Sequence, residues 1–108
     1  MLEFQMEIYV MKGVVKVALK TVLCALNASY SHSALAVRLL DRRLEQAGLP
    51  HSRVERSIND RKEHILAALY REKGDLYCFS CYLWNIRLVL ELCDDLKKLL
   101  PCKTALGG

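Results

Sequence analysis

The chain has 108 residues, 53% of them hydrophobic, and a formal net charge of +4. This length suits one domain at most, and the apolar content is too high for a disordered chain. Most lysines and arginines stand beside acids, as in Asp41-Arg42-Arg43 and Asp94-Asp95-Leu96-Lys97-Lys98. This pattern is typical of solvated helix faces and argues against a nucleic-acid partner.

Three further features bear on where the protein resides. No apolar run approaches the roughly 20 residues that a membrane span needs, so we expect no membrane partner. The start of the chain carries Glu3 and Glu7 and lacks a small-residue cleavage site, which argues against a secretory signal. Five cysteines, an odd number, are scattered through apolar segments. They indicate reduced thiols, and we therefore expect a cytoplasmic protein.

The first predicted elements are a strand at 20–26 and a helix at 33–47. The strand is short, apolar and partly β-branched. Ser31 or Ser33 is suited to cap the helix, and Gly48 is suited to end it. The apolar positions of the helix follow a 3.6-residue period and are Ala34, Leu35, Val37, Leu39, Leu40, Leu44 and Ala47.

The later predicted elements are a strand, helix, strand, helix and strand at 53–58, 61–73, 75–80, 85–100 and 103–106. The first of these strands is polar, which favours a sheet edge, whereas the next is apolar and is expected to be central. Asn59-Asp60 is suited to cap the middle helix and Gly74 to end it. Pro101 stops the last helix. The residues expected to face inward are Ile65, Leu66, Leu69 and Tyr70 in the middle helix and Leu88, Val89, Leu92, Leu96, Leu99 and Leu100 in the last.

This alternation of strands and helices with short connections predicts an α/β fold with right-handed βαβ units and a parallel sheet. No helix pattern follows the fourth strand, although a parallel sheet normally has both faces covered. We therefore expect a fragment, a truncated product or the first part of a larger protein. Residues 1–19 are interpreted as an N-terminal extension, in which residues 14–19 either prolong the first strand or add an edge strand.

Polar, aromatic-bearing segments follow two of the predicted strands. They are Asn27-Ala28-Ser29-Tyr30-Ser31-His32-Ser33 and Phe79-Ser80-Cys81-Tyr82-Leu83-Trp84-Asn85. In open α/β sheets, ligands bind in the crevice beyond the carboxyl ends of the strands. The sequence therefore predicts a ligand-binding unit in which these two segments lie side by side.

An ordered set of four segments resembles the N-terminal cobalamin-binding domain of the cobalamin-dependent radical S-adenosylmethionine proteins. The segments span residues 27–36, Ile58-Asn59-Asp60, residues 79–86 and Leu106-Gly107-Gly108. The resemblance covers residues 20–108, and Ser-Cys-Tyr-x-Trp-Asn after the third strand is its most specific part. It implies a flavodoxin-like, Rossmann-like three-layer sandwich that is incomplete after the fourth strand.

The resemblance implies a module that binds cobalamin and positions it for a radical S-adenosylmethionine domain, attached or on a partner chain. The corrin ring would lie over the strand ends, and the nucleotide tail would pass between sheet and helix. Tyr30, Tyr82 and Trp84 would offer flat apolar surface, and Gly107 and Gly108 would leave room for the tail. The cofactor-binding positions are Asn27, Ala28, Ser29, Tyr30, Ser31, His32, Ser80, Cys81, Tyr82, Trp84, Asn85, Gly107 and Gly108.

Two motifs of related enzymes are missing from the sequence. Methionine-synthase-like cobalamin domains carry Asp-x-His-x-x-Gly with a cobalt-ligating histidine, whereas here Tyr30 and Leu35 stand at the Asp and Gly positions around His32. We therefore expect base-off cobalamin and no metal ligand from the protein. The cysteines at positions 24, 78, 81, 93 and 102 do not form Cys-x3-Cys-x2-Cys, so we expect no iron–sulfur cluster. No catalytic constellation converges on the loops, which leaves any chemistry to another domain.

Other interpretations stay open. Trp84 is suited to anchor the last helix in the core, and Ser80 and Asn85 are suited to be turn and cap residues. Cys78 and Cys81 form a Cys-x-x-Cys, which is either a redox pair or, as strand alternation favours, two structural thiols on opposite faces. At the level of function, the alternatives are another doubly wound ligand-binding module of flavodoxin type and a non-functional truncated remnant.

Overall fold

A computed structural model describes residues 19–28 and 35–107. Strands and helices alternate as β1 (Thr21–Asn27), α1 (Leu35–Gln46), β2 (His51–Ser57), α2 (Lys62–Arg71), β3 (Leu76–Ser80), α3 (Ile86–Leu99) and β4 (Lys103–Gly107). All neighbouring strands are parallel, in the order β2-β1-β3-β4. The predicted α/β fold is confirmed, and its arrangement is flavodoxin-like and Rossmann-like. The extension predicted at residues 1–19 lies outside the described residues except for Leu19.

The sheet separates two apolar clusters. Among the described residues, thirteen buried side chains form the cluster between the sheet and helices α2 and α3. Five form the cluster between the sheet and α1. β1 is buried from Thr21 to Leu26, since it has a strand on each side and helices on both faces. Polar β2 lies at an edge and apolar β3 is central, so both of these predictions are confirmed.

The predicted ends of the helices are confirmed in two cases and wrong in one. Gly48 follows α1 with a left-handed φ of 68°, and Pro101 follows the extended residue Leu100 after α3. After α2, however, the left-handed residue is Lys73, with φ 50°, and not Gly74. Gly74 serves packing instead, because a Cβ there would collide with the buried side chain of Val22.

Two predictions about α2 are also wrong. Asn59-Asp60 does not cap the helix: the N-cap is Arg61, without a side-chain cap, and Asp60 Oδ2 accepts the Ser57 backbone N–H at 3.1 Å. Tyr70 does not face inward. Ala68 is buried beside Ile65 and Leu69, and the exposed Tyr70 ring lies 3.4 Å from the Lys73 ammonium. The 3.6-residue helical period places Ile65, Ala68 and Leu69 on the side that faces the sheet, and it directs Tyr70 toward solvent.

The apolar stripe of α1 is wider than the surface that it buries. Val37 and Leu44 contact the sheet cluster, whereas Leu35 is 67% exposed and Leu39 is also exposed. Leu99 of α3 is exposed as well. A helix that rests on a sheet buries a narrow strip, so the outer members of a broad stripe remain in solvent. None of the helices in the described part of the chain is long and apolar enough to cross a membrane.

Candidate functional site

The carboxyl ends of β1 and β3 lie side by side. The two strands pair in parallel, with Ala25 opposite Ser80, so the segments that leave them begin at the same edge of the sheet. The chain passes from β1 to α1 on one face and from β3 to α3 on the other. This divergence is the topological switch point at which open α/β folds bind ligands. The two strand ends are therefore neighbours, whereas the predicted contact between the two polar segments stays a prediction, because residues 29–34 lie outside the described residues.

Part of the predicted site can be located and part cannot. Ser29, Tyr30, Ser31, His32 and Gly108 lie outside the described residues, as does the proposed capping residue Ser33, so their roles stay predictions. Asn27 ends β1, where its Nδ2 lies 3.5 Å from Glu55 Oε1, and Ala28 follows it in an exposed position.

The side chain of Asn85 holds the site together. Its Oδ1 accepts the Tyr82 backbone N–H at 2.7 Å. Its Nδ2 donates to the carbonyls of Leu26 at 3.1 Å and Ser80 at 3.0 Å. With 1% of its surface exposed, Asn85 precedes α3 without capping it through its side chain. The amide joins the ends of β1 and β3 to the following loop, and it therefore positions the site from within.

The loop between Asn85 and β3 presents apolar surface to solvent. The rings of Tyr82 and Trp84 stack with centroids 4.6 Å apart and planes inclined by 5°. Trp84 is 56% exposed and Leu83 is 96% exposed. The interpretation of Trp84 as a core anchor is therefore wrong, since its ring covers Tyr82 outside the core. The loop offers a flat aromatic surface at the carboxyl edge of the sheet.

A cleft of about 300 Å³ lies between α1 and the β3–β4 side of the sheet, and we call it the α1 cleft. Its lining residues are Leu23, Ala36, Val37, Leu40, Cys78, Phe79, Ser80, Ala105, Leu106 and Gly107. Sequence reasoning placed Ser80 and Gly107 among the cofactor-binding positions. Ala36, Phe79 and Leu106 entered it only as members of the resembling segments, and the other lining residues were assigned to the core or to no role. The small side chains at Ala36 and Ala105 are the signal that could have indicated open space.

Gly107 borders the α1 cleft at the end of β4. A Cβ at this position would meet no other atom within 4 Å. Because strand side chains alternate, it would point to the same face as Ala105, which packs in the α1 cluster. The Gly107 carbonyl accepts the Cys81 N–H at 2.6 Å, which fastens the aromatic loop to β4. The cleft and the aromatic surface are thus neighbours.

The cysteines have the character of structural thiols. Cys78 packs in the α1 cluster, and Cys81 packs against the opposite cluster, so the predicted placement on opposite faces is confirmed. Burial raises the pKa of all five thiols, most strongly that of Cys24. The thiols therefore stay protonated at neutral pH, which makes them weak nucleophiles and weak metal ligands.

Sequence reasoning gave no role to His51, which the structure places in a polar cluster. Its Nδ1 lies 2.8 Å from the Leu49 carbonyl, and its Nε2 lies 3.0 Å from Asp41 and 3.4 Å from Glu45. Two acids one turn apart on α1 were the available signal. The cluster links α1 to the start of β2, at the opposite end of the sheet from the aromatic loop, and its role there is structural.

The described residues therefore build a site with two parts, an apolar cleft and an exposed aromatic loop. Within them, no group of three or more histidines, cysteines or acids is arranged to hold a metal ion. A comparison with protein-family models and with curated protein sequences finds no match to this chain.

Proposed function

We propose that this chain is a cobalamin-binding module that holds the nucleotide tail of the cofactor in the α1 cleft. The observation that carries the proposal is the cleft itself, which opens beside Gly107 at the carboxyl end of the sheet. The ordered segments around Asn27, Ser80 and Gly107 support cobalamin as the ligand through their resemblance to cobalamin domains. The cleft supplies a place for the part of the ligand that enters the fold.

The α1 cleft is large enough for only part of the ligand. A volume of about 300 Å³ is at the small end of the range for ligand pockets. It suits one planar base and its sugar but not a corrin macrocycle. The macrocycle would remain outside, over the strand ends, where Tyr82, Leu83 and Trp84 are exposed. A flat apolar ring could cover these exposed side chains.

The described side chains support a mode of binding without a cobalt ligand. The Asn85 amide is already hydrogen-bonded to protein groups. Burial raises the pKa of the Cys81 thiol, which makes it a weak metal ligand. His32, outside the described residues, lacks the flanking motif of a ligating histidine. Cobalamin supplies methyl-transfer chemistry in the family that the sequence resembles. This chain would orient the cofactor for a radical S-adenosylmethionine domain, attached or separate.

The proposal is tested by titrating the reduced protein with hydroxocobalamin and recording visible spectra after desalting. Gly107→Leu should weaken retention by about tenfold, since a Cβ at this position meets no other atom within 4 Å and the longer side chain would occupy the cleft. Lys103→Leu is the matched control. It lies on the same strand and face but outside the lining of the cleft. Equal retention by the two variants would contradict placement of the tail in the cleft.

Two further measurements separate the proposal from its alternatives. His32→Ala should leave the spectrum of bound cobalamin unchanged, and a shift of the cobalt bands would show that His32 is a ligand. Flavin mononucleotide is titrated in parallel. A folded protein that retains the flavin and no corrinoid would favour a flavodoxin-like module, and retention of neither would favour a remnant without function.

A further inference from the structure

The outer edge of β2 offers backbone groups that have no strand partner among the described residues. β2 pairs with β1 and ends the sheet order. The Ile58 N–H donates to the Asn27 carbonyl, whereas the Ser57 N–H turns away from β1 and donates to Asp60. Since backbone groups alternate in direction along a strand, the N–H and carbonyl groups of Arg53 and Glu55 also point outward.

A polar cleft of about 190 Å³ runs between this edge and α2, and we call it the β2–α2 cleft. Its lining residues are Arg53, Val54, Arg56, Ala68, Arg71 and Glu72. The cleft lies on the α2 side of β2, whereas the α1 cleft lies on the other face of the sheet beside β4. The two clefts can therefore be tested independently.

Two arginines give the β2–α2 cleft an uncompensated positive charge. Within the described residues, neither Arg56 nor Arg71 forms an ion pair: Arg56 donates to the Glu55 carbonyl at 2.9 Å, and Arg71 donates to the Ala67 carbonyl at 3.2 Å. The acid of the cleft, Glu72, is already paired with Lys20 at 3.1 Å. If a ligand carboxylate bound here, the two arginines could donate to it in place of these neutral carbonyls. Hydrogen bonds to a charged acceptor are stronger.

We propose that the β2–α2 cleft docks an extended acidic peptide segment of another protein, which adds a strand to β2. The peptide backbone pairs with the outward groups of Arg53 and Glu55. Alternate side chains of a strand share a face, so carboxylates two residues apart reach Arg56 and Arg71. Main-chain pairing supplies affinity in such complexes, and the flanking charges supply specificity.

A peptide fits this edge better than a nucleic acid does. Phosphate oxygens accept hydrogen bonds and do not donate them, so the phosphates of a nucleic acid cannot pair with the outward carbonyl of Arg53, nor with that of Glu55 once Arg56 has released it. An extended peptide carries a donor and an acceptor at each residue other than proline. The open edge of β2 and the two arginines without an ion pair, Arg56 and Arg71, therefore favour an acidic peptide strand over a general polyanion.

The test uses a labelled peptide, acetyl-Thr-Val-Glu-Val-Glu-Val-Thr-amide, whose binding to the full chain is followed by fluorescence anisotropy and amide NMR shifts. Arg56→Glu with Arg71→Glu should weaken binding by about tenfold or more. The control is Arg38→Glu with Arg87→Glu, which makes the same change of charge at exposed positions of α1 and α3. It should alter affinity by no more than about twofold. The largest shifts should fall at the amides of Arg53 and Glu55.

Each other outcome would overturn the proposal. Equal binding of a peptide with lysine in place of glutamate would remove the charge argument. Unchanged binding of an N-methylated peptide would show that the cleft binds anions without pairing to a strand. Tighter binding of a single-stranded oligonucleotide than of the peptide would favour a nucleic acid as the partner. If deletion of residues 1–18 raised peptide affinity by about tenfold, the occupant would be the chain's own segment with Glu3 and Glu7. Arg71→Glu alone serves if the double variant does not fold.

Discussion

Among the described residues, the two faces of the sheet bury different numbers of side chains. Helices α2 and α3 bury thirteen described side chains against one face, and their apolar residues meet the sheet from β2 to β3. On the other face, α1 buries five and leaves the α1 cleft beside β4. We call the face covered by α2 and α3 the dense face and the face covered by α1 the sparse face. The dense face contributes most of the stability of the domain, whereas the sparse face leaves space for a ligand.

Substitutions on the two faces should differ most in their cost where the dense face is most deeply buried. Leu92→Ala removes a fully buried side chain of the dense face and should lower the free energy of unfolding by about 2–5 kcal/mol. Leu40→Ala is the matched variant on the sparse face, where the side chain borders the α1 cleft and is partly exposed. It should cost less than about 1 kcal/mol. Urea unfolding measures both, and similar losses would contradict the assignment of stability to the dense face.

Asn85→Asp tests the hydrogen bonds by which the Asn85 amide links the ends of β1 and β3. The aspartate carboxylate would face the carbonyls of Leu26 and Ser80, which now accept hydrogen bonds from Nδ2. Repulsion between acceptors should cost about 3 kcal/mol at pH 7. It should raise the pKa of the new aspartate in the folded state. The loss of stability relative to the natural chain therefore grows as pH rises through about 4, where the unfolded aspartate ionises.

The control for this variant is Asn59→Asp, at an exposed residue between β2 and α2. Its effect on unfolding should be small and nearly independent of pH. Should the two variants lose the same stability, the hydrogen bonds of the Asn85 amide would not hold β1 and β3 together.

Features set by local pattern could be predicted from the sequence, and features set by tertiary contact could not. The polarity of β2 predicts an edge position because an edge strand keeps one side in solvent. The linking role of Asn85 depends on its hydrogen bond to the Leu26 carbonyl, 59 residues away. No local pattern in the sequence shows that contact. The periodicity of α1 shows how wide its stripe is but not how much of it the sheet covers. The α1 cleft is a gap in that coverage.

Tyr77→Phe removes one oxygen from the dense face and tests what its hydrogen bonds contribute to stability. The buried Tyr77 hydroxyl donates to the Leu69 carbonyl at 2.6 Å and accepts the Gly74 N–H at 3.0 Å. Loss of both bonds should cost about 1–3 kcal/mol. Tyr70→Phe, at an exposed ring, should cost almost nothing.

The same pair of variants gives a test at alkaline pH. Burial raises the pKa of Tyr77. The resulting stability is present below the unfolded tyrosine pKa of about 10 and is lost as pH rises through the folded value. The natural chain should therefore lose stability above pH 10 more steeply than Tyr77→Phe does. Parallel curves for the two proteins would show that the hydroxyl is not sealed in the core.

The smallest effect is expected at an ion pair on the same face. The Ser52 hydroxyl and the Lys20 ammonium beside Glu72 lower the pKa of its carboxyl group. A lowered pKa stabilises the fold above the unfolded glutamate value and loses that contribution as pH falls through the folded value. Glu72→Gln should therefore cost about 0.5–1 kcal/mol at pH 7 and progressively less in acid. Glu63→Gln, at an exposed residue 3.9 Å from Arg61, is the matched control and should cost little at pH 7. A larger loss at Glu72 than at Leu92 would mean that charge, and not packing, distinguishes the two faces.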